Sequence, residues 1–304
     1  MSLIEKALQK MRAETDAPAR DAAPAAPASA AGAGAAAVGS QGAAQARQPL
    51  TSVTIDTSTL EGAGVLASID RRHQQLADYR HIKRQVVAQS AALARSAGPA
   101  ARLLMVTSAL PGEGKTFTSI NLALSLALER DSSVLLIDGD VARPSTSRLL
   151  GIENLPGLFD ALSNEQVDVE GLVLGTNVKG LTLLPVGKAS PSATEDLASG
   201  RMEGLMRQLL AVPSRYIVID SPPLLVTTEA AATSRHAGQV VVVVHAESTL
   251  QRAVMEGLRL LGERDGVSLI LNRVHHSKLE GYYYGYNYGE RYGDLPIPKA
   301  LGRE

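Results

Sequence analysis

Six short apolar runs punctuate the latter part of this chain: residues 102–108 (RLLMVTS), 133–140 (SVLLIDGD), 181–187 (LTLLPVG), 215–221 (RYIVIDS), 239–246 (QVVVVVHA) and 267–272 (VSLILN). A strand with one face in water alternates apolar and polar residues. Runs that are apolar at successive positions need cover on both faces, which is the situation of strands in a parallel sheet. The intervening stretches 115–130, 194–210, 227–236 and 248–263 read as helices. Strand–helix alternation predicts right-handed crossovers and a doubly wound, mostly parallel α/β sheet with helices on both faces. One more helix is expected within 74–93, where Leu76, Tyr79, Ile82, Val86, Val87 and Leu93 alternate with Arg80, Lys83 and Arg84 ahead of Gly98-Pro99.

Upstream the composition changes. Residues 17–46 are mostly alanine with interspersed proline and glycine, so ordering them costs entropy with no large side chain to bury in return. They read as a flexible tether. Ahead of it, Leu3, Ile4, Ala7, Leu8 and Met11 fall at helical spacing opposite Glu5, Lys6, Gln9, Lys10 and Arg12. Two readings stand for this peptide: a frayed tail, or a helix that folds on a partner. The expected organisation is therefore 1–12 docking helix, 13–69 linker, 70–276 α/β domain and 277–304 tail.

Charge and composition exclude several functions. Thirty basic residues against 31 acidic ones give a net charge of −1, which offers no general attraction to nucleic acid. The chain has 0 cysteines, which excludes disulfides, thiolate metal sites and cysteine nucleophiles. The apolar run Val240–Val244 is far short of the roughly 20 residues of a membrane span. With no apolar leader core in MSLIEKALQKM, a cytoplasmic location is expected.

The first strand ends in Ser108-Ala109-Leu110-Pro111-Gly112-Glu113-Gly114-Lys115-Thr116 and a helix follows directly. Glycines let backbone N–H groups turn inward on phosphates, and a helix N-terminus adds partial positive charge. In such a loop Lys115 reaches the β- and γ-phosphates and the Thr116 hydroxyl can ligate Mg²⁺. The strict pattern has glycine where Ala109 stands. Asp138 and Asp140 follow one apolar run and Asp220 another; in an open parallel sheet, such strand ends gather beside the ligand. A Mg-nucleoside triphosphate site is the reading.

On these residues the chain resembles the bacterial tyrosine kinases, a P-loop family distinct from eukaryotic protein kinases, and within it the autokinases of exosortase-associated exopolysaccharide systems. The family's S-x-x-P-x-E-G-K-[ST] is matched from Ser108 to Thr116, and its apolar-D-x-P-P form from Ile217 to Pro223. Its D-x-D-x-R is represented by Asp138-Gly139-Asp140-Val141-Ala142-Arg143, with the arginine one place late. The helix motif E-x-x-R-x-x-R meets Ala77, Arg80 and Lys83, and reads equally as a ring contact or as a solvated basic face. The MinD/ParA type of ATPase shares this fold and is the alternative, but its signature lysine is replaced here by Leu110.

Tyr282, Tyr283, Tyr284, Tyr286, Tyr288 and Tyr292 cluster among glycines near the C-terminus. By themselves they fit a base-stacking segment, a low-complexity tail or a phosphate acceptor, and the resemblance implies the last. It further implies an ATP- and Mg²⁺-dependent kinase. Lys115, Asp138, Asp140 and Asp220 would be catalytic. Pro111, Gly112, Glu113, Gly114, Lys115, Thr116, Phe117 and Asn272 would hold the nucleotide, and Thr116, Asp138 and Asp220 the metal. Implied partners are a membrane polysaccharide co-polymerase adaptor that recruits the chain to the inner membrane, other copies of the chain with a ring left open, and a cognate tyrosine phosphatase. No nucleic acid is expected among them.

Overall fold

The computed structural model describes residues 51–66, 69–188 and 192–274. Eight strands form one sheet: β1 (Ser52–Val53), β2 (Leu103–Ser108), β3 (Ser133–Asp138), β4 (Leu174–Thr176), β5 (Leu181–Leu184), β6 (Arg215–Asp220), β7 (Gln239–His245) and β8 (Val267–Asn272). Their spatial order is β1-β4-β5-β3-β6-β2-β7-β8. Every pairing is parallel except that of β4 with β5.

The continuous apolar runs are buried on both faces, as their sequence requires. In β2, Leu103 and Met105 join one core while Leu104 and Val106 join the other; β7 divides its valines likewise, Val240, Val242 and Val244 against Val241 and Val243. One face is covered by α1 (Thr57–Gly62), α2 (Ile69–Ala97) and α3 (Lys115–Ala127), which contribute Leu60, Tyr79, Val86, Ile120, Leu122 and Leu126. After β3 come two short helices, α4 (Ser145–Leu149) and α5 (Leu158–Ser163). The other face is packed by α5 together with α6 (Ala193–Ala198), α7 (Gly200–Leu210), α8 (Thr228–Ser234) and α9 (Gln251–Leu260). Helix α2 stops at Gly98, whose φ of +56° suits only glycine without strain, followed by Pro99.

Four details depart from expectation. The end of the stretch taken as linker is folded: β1 pairs with β4, and Ile55, Leu60 and Val65 are buried among α2 and α3 residues, because three apolar residues there do have a core to enter. The helix expected over 194–210 is two helices. Ser199 leaves helical geometry at φ −79°, ψ 161°, and its hydroxyl caps α7 by accepting from the Met202 N–H. The antiparallel β4 has only three residues and carries no periodicity to read. Leu76, expected in the core, is 40% exposed. Residues 1–12, the tether 17–46 and the tyrosine cluster lie outside the described residues. Among the described residues no helix is long and apolar enough to cross a membrane.

If residues 51–66 belong to the domain, Leu60→Ala should cost about 2 kcal/mol of folding stability, as emptied leucine sites generally do. Urea denaturation of the full chain measures this, and an unchanged midpoint would return the segment to the linker.

Candidate active site

Register decides what the sheet presents at the C-terminal ends of its central strands. Val106 of β2 is level with Asp220 of β6, and Asp220 is level with Asp138 of β3. The chain leaves β2, runs through α3 and returns in β3 on the far side of β6, whereas β7 lies on the opposite side of β2. Connections that diverge in this way open a crevice at the strand ends, the usual ligand position in such sheets.

The loop after β2 is held in shape by its own side chains. Gly112 and Gly114 have φ of +81° and +102°, and a Cβ on Gly114 would lie 2.0 Å from Asn272 Nδ2. That amide nitrogen donates to the Glu113 carbonyl at 2.9 Å. The Glu113 carboxylate is buried: Oε2 accepts from the Leu110 N–H at 2.6 Å, and Oε1 accepts from the Thr249 hydroxyl. The Ser108 hydroxyl donates to the Leu110 carbonyl at 2.7 Å. Ser108 and Glu113 thus close the loop on itself, while Asn272 braces it from the end of β8 and Thr249 from the turn between β7 and α9. Pro111 and Gly112 stand exposed at its tip. The Gly112–Gly114 backbone leads directly into α3, whose N-cap is Gly114, so unpaired N–H groups meet the positive end of the helix where a phosphate would sit.

Behind the loop lie the carboxylates. Asp220 is 1% exposed and accepts three hydroxyls: Thr116 at 2.7 Å and Thr146 at 2.8 Å on Oδ2, and Ser119 at 3.2 Å on Oδ1. Asp138 Oδ2 accepts the Ser147 N–H at 2.7 Å and Oδ1 the Asp140 N–H at 3.2 Å. Asp140 Oδ1 accepts the Arg143 N–H at 3.0 Å. Burial raises the pKa of all three. For Asp138, burial and then the nearby Asp220 charge push it up to about 7. Hydrogen bonds from Thr116 and Thr146 oppose the rise at Asp220, followed by the Lys115 charge. At Asp140 the opposing influences are the Arg143 N–H and the charges of Lys115 and Arg143.

Two buried carboxylates at adjacent strand ends, one of them in hydrogen-bond contact with a loop hydroxyl, fit a hard divalent cation. Among the described residues no three His, Cys, Asp or Glu side chains form a protein-only metal cage. Magnesium commonly takes one or two carboxylates and completes its shell with water and phosphate oxygens, and this donor set suits that pattern.

The fold therefore brings Lys115, Thr116, Asp138, Asp140 and Asp220 to one edge with the loop 111–114. Asn272 serves the loop as a brace. The Phe117 ring lies edge-on to Tyr79, with centroids 6.1 Å apart, so that side chain belongs to the α2–α3 seam. Lys83 of α2 pairs with Glu129 just beyond α3. Thr146, Ser147, Ser119 and Thr249 were missed by sequence reasoning. Small hydroxyl residues near helix starts carry only the signal of a cap, and nothing in their spacing announces a carboxylate partner.

Fold and loop together define a P-loop nucleotide-binding protein of the doubly wound α/β class. Residues 101–267 match the family profile described as an AAA domain. Over 183 residues the chain is 30% identical to the putative tyrosine-protein kinase CapB of Staphylococcus aureus, covering 60% of this chain and 79% of that one. Over 185 residues it is 32% identical to the tyrosine-protein kinase YwqD of Bacillus subtilis, covering 60% and 77%. It is 34% identical to the tyrosine-protein kinase Wzc of Salmonella typhimurium over 170 residues, which are 53% of this chain and 23% of Wzc, so it spans about a quarter of that relative. The solved kinase domain of VpsO superposes with a TM-score of 0.54 at 30% identity, over 69% of this chain and all of that one. That of BceF gives 0.53 at 26%, over 73% and 92%. The chain belongs to the bacterial tyrosine-protein kinase family.

Two outcomes test this geometry. Gly114→Ala adds a Cβ into Asn272 at a backbone angle that L-residues rarely adopt, so nucleotide binding should fall at least tenfold while the helical circular dichroism is kept. Asp138 binds its proton more tightly folded than unfolded, so between about pH 4 and pH 7 the folded state holds the extra proton and stability declines as pH rises. In metal-free protein, Asp138→Asn loses one of two N–H acceptors at every pH, but its stability relative to wild type should gain progressively from pH 5 to pH 8. An equal difference from wild type at both pH values would mean that Asp138 titrates normally.

Proposed function

We propose that this chain is an ATP-dependent protein-tyrosine kinase that phosphorylates its own C-terminal tyrosine cluster in trans. The observation that carries this reading is the Thr116–Asp220 contact at 2.7 Å beneath a braced loop of family sequence, at the strand ends shared with Asp138. In this reading the Gly112–Gly114 amides and Lys115 hold the phosphates and offset charge on the transferring γ-phosphoryl group. Thr116, Asp138 and Asp220 would hold Mg²⁺, which would supply positive charge against that developing on the phosphates.

A tyrosine hydroxyl has a pKa of about 10, so it needs a carboxylate placed to take the proton as the tyrosine O–P bond forms and the γ-phosphorus parts from the β–γ bridging oxygen, which leaves with ADP. Asp138 and Asp140 share that task with metal contact. The position of Asp138 level with Asp220, at the end of β3, supports its assignment to this task. Asn272, at the end of β8, adds an adenine contact to its bracing role.

Each phosphotyrosine adds roughly −1.5 to −2 charges at neutral pH, so several on one tail repel one another and loosen any assembly that the unmodified tails bridge. By the same reading the chain regulates exopolysaccharide production. A membrane co-polymerase adaptor contacts residues 1–12 and recruits the chain to the inner membrane, and a phosphatase resets the tail.

Mass spectrometry after incubation with Mg-ATP tests the reading. Phosphate should appear on residues 282–292 in the wild type and fall at least a hundredfold in Lys115→Met, the scale expected when a charge-stabilising group is removed. ATP hydrolysis without tail phosphate, even with an adaptor's cytoplasmic segment added, would favour a regulatory P-loop ATPase instead.

A further inference from the structure

Asp220 is enclosed, and among the described residues no lysine or arginine forms an ion pair with it. Its orientation therefore depends on hydroxyl donors. Thr116 and Ser119 belong to the loop and first turns of α3, the segment that grips phosphate. Thr146 does not. It opens α4, eight residues beyond Asp138, and sits 1% exposed with its hydroxyl 2.8 Å from Asp220 Oδ2, the same oxygen that Thr116 uses.

The neighbouring residue completes the arrangement. The Ser147 N–H donates to Asp138 Oδ2 at 2.7 Å, and the Ser147 hydroxyl accepts the Val186 N–H at 3.1 Å. The start of α4 is thus tied at once to the ends of β6 and β3 and to the segment following β5.

We infer that Thr146 is a positioning residue for the metal half of the site: it fixes the Asp220 carboxylate so that Thr116 and Asp220 present a preformed pair to the cation. The inference rests on the Mg-nucleotide reading of this edge and adds to it a residue assigned to act through Asp220. The physical reason is directional. Thr116 and Ser119 both belong to α3 and shift with it, whereas a donor from a separate element ties the carboxylate to the β3 side of the crevice and fixes the plane in which its free lone pairs point. Partners of this kind commonly govern metal affinity by tenfold or more without being ligands.

The test uses the full chain and reads binding of a fluorescent ADP in EDTA and in Mg²⁺. Thr146→Val keeps the shape and removes the donor. It should reduce the magnesium-dependent gain in ADP affinity by about tenfold, leave affinity in EDTA within twofold of wild type, and be rescued by Thr146→Ser. Thr146→Ala supplies the same comparison should the valine variant not fold. A full magnesium gain in the hydroxyl-lacking variant, an equal loss with and without metal, or failure of serine to rescue would each overturn the inference. So would a wild type with no magnesium-dependent gain. No phosphate transfer is measured, so an absence of tail phosphorylation would count against the kinase reading and leave this result standing.

Discussion

A buried carboxylate whose hydrogen-bonding side chains, among the described residues, are all hydroxyls organises the edge of this sheet. Burying Asp220 at the end of the apolar run 217–219 costs desolvation free energy, and the structure meets that cost with Thr116, Thr146 and Ser119. Those three donors come from the phosphate loop, the first turn of α3 and the start of α4. Elements far apart in sequence are thereby forced to agree on the position of one side chain. The parallel register of β3 and β6 then adds Asp138 beside it, and the proximity of two carboxylates raises the cost of ionising both. A fold selected only for stability would avoid such a pair; a site that must receive a cation benefits from it.

The loop above these groups is stiff for a related reason. Its glycines would allow many conformations, and four polar contacts remove that freedom. Ser108 and Glu113 satisfy the Leu110 backbone from inside the loop, while Asn272 reaches it from the end of β8 and Thr249 from the turn between β7 and α9. Preorganised N–H groups need little rearrangement when charge arrives, which is the main way a protein stabilises a transferring phosphoryl group. The serine and glutamate of the family motif therefore have local, structural work to perform before any nucleotide is bound.

Much of this was legible in the sequence. The six strands announced themselves because burial on both faces demands uninterrupted apolar residues, and each ends within three residues of its expected limit. Lys115, Thr116, Asp138, Asp140 and Asp220 could be nominated because strand-end acids and a glycine loop obey short-range rules. The short elements could not. β1 and β4 have too few residues for a period, and the break at Ser199 depends on one capping hydroxyl within a stretch of helical composition.

What the sequence by itself determined is therefore the class of fold and the chemical identity of the main groups, since both follow from local pattern: apolar runs, turn residues and the order in which they occur. What only the tertiary structure decided is how those groups are held. The level alignment of Asp138 with Asp220, the use of Asn272 as a brace, the packing of Phe117 against Tyr79 and the reach of Thr146 to Asp220 all join residues from separate elements. Such contacts arise from strand order and helix placement, which at this site bring together positions 159 residues apart. No local pattern encodes that distance; it is set when the sheet closes its order and the strand ends meet.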